Sequence, residues 1–134
     1  MLKAVIDTNV FVSGIFFSGP PFRILKAWQA GQFRIAVSEE ILDEYRRVVD
    51  ELCAKLGTID LNAVWELFLI EAELVASYSF GKQIGEDPDD DKFLACSMLS
   101  NSRYLTTGDR HLLKIGTFLN TTIITPRQFL DHLL

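Results

Sequence analysis

The chain has 134 residues, 49% apolar and 23% charged, the balance of an ordinary globular domain and not of a disordered or collagen-like segment. Its 18 acidic against 13 basic residues leave a net charge of −5, which argues against a protein that holds nucleic acid passively on a basic face. An enzyme that gathers divalent cations in a small acidic pocket to meet a phosphate stays admissible. Asp7 interrupts the apolar N-terminus, which also lacks a small-residue cleavage site, so no signal peptide is read there. No apolar run approaches the roughly 18 residues that span a bilayer. Cys53 and Cys96 lie far apart with no partner at zinc spacing, and read as reduced core thiols of a cytoplasmic protein.

Leu2–Ile6 (LKAVI) has the continuous apolar character of a buried strand. Asp7 ends it, Thr8 and Asn9 follow, and Val10–Phe17 opens a helix, which makes a βα unit with an acid at the strand's carboxyl end. Asp7 reads equally as a helix N-cap, and Asn9 as a turn residue. Ser18-Gly19-Pro20-Pro21 breaks the chain and starts a second helix, whose stripe of Phe22, Leu25 and Trp28 reads as core up to Gly31. Phe33–Val37 is the second strand. Ser38 then caps a helix that turns Ile41, Leu42, Tyr45, Val48, Val49, Leu52 and Leu56 inward. Glu44 borders that stripe and needs a partner there: a cation, a hydrogen bond or a salt bridge to Arg46 or Arg47.

Gly57–Asp60 is a turn, and Leu61–Glu73 a further helix with Val64, Leu67, Phe68 and Leu74 on one side. Leu74–Phe80 reads as a strand or an extended connector. Gly81–Gly85 leads as a loop into Glu86–Leu99 (EDPDDDKFLACSML), where Asp87, Asp89, Asp90 and Asp91 stand immediately before an apolar helix. Carboxylates so crowded repel one another unless water, salt or a bound cation offsets the charge. A solvated loop doubling as an N-cap explains the same residues. Arg103–Thr106 is the next strand, with Thr107-Gly108-Asp109 at its carboxyl end, and Arg110–Leu113 begins a brief helix. Asn120–Thr125 reads as the last strand, and Pro126 opens a final helix with Phe129, Leu130, Leu133 and Leu134 inward.

Strands alternating with helices predict an α/β domain over residues 1–134, three-layer α/β/α, around a mostly parallel sheet. Acids from four segments, Asp7, Glu44, the Asp87–Asp91 loop and Asp109, then meet on one sheet edge, which capping alone does not explain. Oxygen donors without nearby His or Cys suit Mg²⁺ or Mn²⁺ and not zinc. His111 and His132 read as surface or capping residues.

In this order DTNVFVSG, VSEEILDEY, DPDDDKFLACS, YLTTGDRHLL and TPRQFL resemble a PIN-domain protein, in the branch of VapC-type toxins of toxin–antitoxin pairs. The resemblance implies a metal-dependent endoribonuclease, with Asp7, Glu44, Asp91 and Asp109 as catalytic acids and ligands of Mg²⁺ or Mn²⁺. Asn9 and Thr107 are then polar supports, and Asp87 and Asp90 auxiliary acids. It further implies an RNA substrate, a small antitoxin whose peptide enters the acidic pocket, and a homodimer, for which Phe16, Phe17 and Phe22 are candidate contacts. Arg46, Arg47, Lys92, Arg103 and Arg110 are candidates to meet phosphates. Many relatives carry a basic residue where this chain has Glu86, which makes the rim more acidic. Two other readings stand beside it. A haloacid-dehalogenase-like phosphatase normally has a second Asp two residues after the first, where this chain has Asn9. A PIN-fold interaction module would bind a partner and cleave nothing.

Overall fold

Among the residues described by the computed structural model, 1–133, six strands form a sheet in the order β3-β2-β1-β4-β6-β5. Four of the pairings are parallel: β1 (Lys3–Ile6) with β2 (Arg34–Ser38) and β4 (Tyr104–Thr106), β2 with β3 (Glu73–Val75), and β4 with β6 (Thr121–Ile124). β5 (Thr117–Phe118) is an antiparallel edge against β6. It is too short to leave a periodic signal in sequence. β1 and β4 are central, so Ala4, Val5, Ile6 and Leu105 are wholly buried, which is why their strands read as apolar runs without alternation.

Helices cover the sheet on both faces, as the alternation of elements predicts. An aromatic cluster ties together four of them: α1 (Thr8–Phe16) through Phe11, α2 (Pro20–Gln29) through Trp28, α3 (Glu39–Leu56) through Tyr45, and α4 (Asn62–Glu71) through Trp65 and Phe68. Phe11 stacks on Tyr45 with centroids 4.3 Å apart. α7 (Pro126–Leu133) packs on α2, and its Phe129 meets Phe33 and Tyr104. α5 (Asp91–Ser100) packs on β1, β2 and β3, while α6 (Arg110–Ile115) packs on β6. No helix among the described residues is long and apolar enough to cross a membrane.

Ser38 caps α3 as its sequence predicts, accepting a hydrogen bond from the Ile41 N–H at 3.3 Å. Three apolar residues depart from their expected inward positions. Leu56, in the last turn of α3, is 57% exposed, and Leu74 is 67% exposed because it sits on edge strand β3, not on α4. Phe22 is exposed on α2, while Leu25 and Trp28 are buried as expected. Only Glu73–Val75 of the stretch up to Phe80 is strand. Leu134 lies outside the described residues.

Candidate active site

The sheet places two strand ends side by side. Ile6 pairs in register with Thr106, so Asp7 and Thr107 leave neighbouring strands together, and the Asp7 N–H donates to the Thr106 carbonyl at 3.0 Å. Here the connections diverge, β1 leading outward to β2 on one side while β4 lies on the other, the position where open parallel sheets hold ligands. Asp7 stands at the N-cap of α1, yet its side chain makes no capping bond. Instead its Oδ2 accepts from the Thr107 hydroxyl at 2.5 Å, and the same Oγ1 accepts from the Asp109 N–H at 3.0 Å. Thr107 therefore holds the Asp7 carboxyl and the Asp109 backbone together. Asp109 caps α6 through Oδ1, which accepts from the His111 N–H at 2.9 Å.

α3 brings Glu44 to the same edge. The neighbouring Tyr45 is anchored by its hydroxyl, which donates to the Ile6 carbonyl, so the helix turn carrying Glu44 is held against the end of β1. Glu44 Oε2 accepts from the Thr8 hydroxyl, and its Oε1 lies 3.0 Å from Lys92 Nζ and 3.9 Å from Arg47. A salt bridge, the alternative weighed from its border position, is thus present, with Lys92 as the nearer partner.

The acidic loop ends in a short 3₁₀ turn, Pro88–Asp90, capped by Asp87, whose Oδ1 accepts from the Asp89 N–H at 2.9 Å. The turn rotates successive side chains by roughly 100–120°, so Asp90 and Asp91 cannot face the same way. It is Asp90 that enters the acidic cavity. Asp91 points away: its two oxygens accept from the Ile84 and Gly85 N–H groups at 2.9 and 2.7 Å and pin the preceding loop. Asp91, expected as a ligand, thus does not line this cavity, whereas Asp90 does, and Asp91 serves instead to hold the loop before the helix. In sequence the two were distinguishable only by knowing where the 3₁₀ turn begins.

The resulting cavity, about 240 Å³, is lined by six carboxyl side chains, those of Asp7, Glu44, Asp87, Asp89, Asp90 and Asp109, with Asn9 and Arg47 beside them. A larger hollow between Trp28 and Leu67 has only Glu71 as an acid and offers no comparable chemistry. Burial, then the charges of Asp109, Asp87 and Asp7, push the Asp90 carboxyl up to about 6. Burial also raises Asp7, with Asp109 and Glu44 adding to the effect and the Thr107 hydrogen bond opposing it. Asp90 Oδ2 is buried without any hydrogen-bond partner. A buried acceptor left unpaired among like charges is costly unless a cation completes it. Among the described residues, no three of these side chains are gathered tightly enough to grip an ion as they stand.

Of the other candidates, Lys92 is half-buried, with its amine against Glu44, Arg46 lies over the Trp65 ring at 4.9 Å, and Arg103 sits at the opposite end of β4, over Tyr104. Arg47 is exposed and lines the cavity, while Arg110, also exposed, follows Asp109 but is not among the lining residues. Glu86 meets the His111 ring, tying the acidic loop to the start of α6, and His132 stacks on Tyr104 away from the site.

A parallel α/β sheet with carboxylates buried at its switch point defines a class of acidic strand-end site. The PIN domain family model matches residues 3–111, and the chain belongs to that family. PIN domains are generally nucleases and generally use divalent metals. Among solved structures, the crystal structure of PAE2754 from Pyrobaculum aerophilum has the same fold, with a TM-score of 0.60 over 98% of this chain and 89% of that one, at 15% identity. No curated protein matches the chain.

Proposed function

We propose that the protein is a Mg²⁺- or Mn²⁺-dependent endoribonuclease that hydrolyses RNA phosphodiester bonds, acting in the cytoplasm as the toxin of a toxin–antitoxin pair. The observation that carries the metal is Asp90, whose buried, unpartnered oxygen sits beside Asp7 and Asp109 in an all-oxygen donor set suited to a hard cation. Asp7, Asp90 and Asp109 would hold the ion, with Asp87 near the rim. When bound, such an ion lowers the pKa of water and neutralises charge on a phosphate.

The chain's own groups prepare that chemistry. Thr107 keeps Asp7 turned into the cavity and holds the Asp109 backbone beside it. Arg47, the one cationic side chain lining the cavity among the described residues, is placed to meet a phosphate that the overall charge would repel. Asn9 is exposed at the mouth and can orient a water or a substrate oxygen. The same reading carries two partners. A small antitoxin would place a peptide in the acidic cavity, and a second copy of the chain would set two cavities along one RNA.

The test is cleavage of structured and unstructured RNA by purified protein with Mn²⁺, Mg²⁺ or EDTA. Cleavage should require metal, fall by roughly 10²-fold or more in Asp7→Asn and Asp90→Asn, and persist in Asp91→Asn. Metal-dependent cleavage retained in Asp90→Asn but lost in Asp91→Asn would restore Asp91 as the ligand. A folded protein that cuts nothing with either metal points to the interaction module, and turnover of small phosphomonoesters to the phosphatase.

A further inference from the structure

We propose that Lys92 takes the place of a second cation, so that the acidic cavity binds one divalent ion, at Asp7, Asp90 and Asp109, and not two. The inference rests on the reading that the cavity binds a divalent ion at all, and adds how many and where.

Lys92 lies in the first turn of α5, where the helix macrodipole disfavours a positive charge. Its side chain is nonetheless only 7% exposed. An ammonium withdrawn from water needs oxygens in return, and this one has them. Nζ stands 3.0 Å from Glu44 Oε1 and 3.8 Å from Asp89 Oδ1, and donates to the Asp89 carbonyl at 2.9 Å. Phe93 closes another side, its ring centroid 5.2 Å from Nζ. Lysine is therefore coordinated by the acidic loop and α3 together, much as a hard cation would be.

The consequence falls on Glu44. Its Oε2 is taken by the Thr8 hydroxyl and its Oε1 by Lys92, with Arg47 3.9 Å away. A divalent ion drawn to Glu44 would have to displace the Lys92 ammonium or sit beside it against like-charge repulsion. At the other end of the cavity no basic side chain contacts Asp7, Asp90 or Asp109 among the described residues, and Asp90 Oδ2 has no partner. The charge in the cavity is thus divided: one half is already neutralised by the chain, the other awaits an ion. Glu44 becomes a positioning residue, holding Lys92 and Thr8 and through them the start of α1.

Mn²⁺ titration of the metal-free full chain, by calorimetry and by the electron paramagnetic resonance of free Mn²⁺, counts ions directly. The wild type should bind one ion. Glu44→Gln should still bind one, with affinity changed by less than about 3-fold, whereas Asp90→Asn should lose roughly tenfold or more. Lys92→Met should expose Glu44 and add a second, weaker site, which the double variant Lys92→Met/Glu44→Gln removes again. Lys92→Arg, which keeps the charge, should bind one ion. Two ions in the wild type, or a folded Lys92→Met that binds one ion at wild-type affinity, would overturn the proposal while leaving the metal-dependent reading intact. No binding at all would overturn both. Should Lys92→Met fail to fold, the wild-type and Glu44→Gln counts decide: one ion in each supports the proposal, and two in the wild type falling to one overturns it.

Discussion

Burial of the Asp90 carboxyl, with Asp109, Asp87 and Asp7 around it, raises its proton affinity from 3.8 to about 6. Between those values the folded chain holds a proton that the unfolded chain has released, so stability falls as pH rises through about 4 to 6 and stays lower above. Asparagine cannot ionise and escapes that loss. In EDTA at pH 7, Asp90→Asn should therefore be more stable than the wild type by on the order of 1–3 kcal/mol, and the advantage should vanish below about pH 4. Urea unfolding at both pH values measures it, and equal stability at pH 7 would remove the repulsion account. Asp91 has different surroundings, its oxygens accepting from two backbone N–H groups. The pair was legible in sequence as a crowded acidic stretch before a helix. Which acid faces the cavity was not, because one residue of 3₁₀ phase exchanges their directions.

At the level of elements, the helices and central strands follow from apolar periodicity and capping, and their order carries the α/β class. What the pattern missed is contextual. β5 is two residues long, and Leu74 belongs to an edge strand whose pairing with β2 is non-local. Close approach of helices is equally invisible in sequence. On α1, Gly14 is buried against α2, and a Cβ there would lie 2.7 Å from both Leu25 Cδ1 and the Pro21 carbonyl oxygen. The carbonyl is backbone and cannot swing aside. Gly14→Ala should consequently cost about 1–3 kcal/mol of stability in urea unfolding, although alanine is favoured over glycine by about 1 kcal/mol inside a helix. A neutral or stabilising result would mean that α1 and α2 can separate without loss. Because α1 starts at Asp7 and Thr8, that separation would also reach the site.

For the molecule as a whole, a ligand that binds only the folded state stabilises it by mass action. At a Mn²⁺ concentration about 100 times its Kd, the gain is about 2.7 kcal/mol, several degrees in melting temperature for a chain of this size. The wild type should show that rise, EDTA should reverse it, and Asp90→Asn should lack it. An unchanged melting temperature in the wild type under these conditions would remove the divalent site.

By itself the sequence determined the fold class, the family, the acidic character of the site, and Asp7 and Asp109 as strand-end residues, because these depend on local pattern and on residues next to the strands that carry them. Only the tertiary structure decided that Asp90 and not Asp91 enters the cavity, and that Lys92 is packed against Glu44. Those outcomes depend on the phase of one turn and on contacts between α3 and α5, whose residues lie tens of positions apart. Local propensity carries no record of such distances.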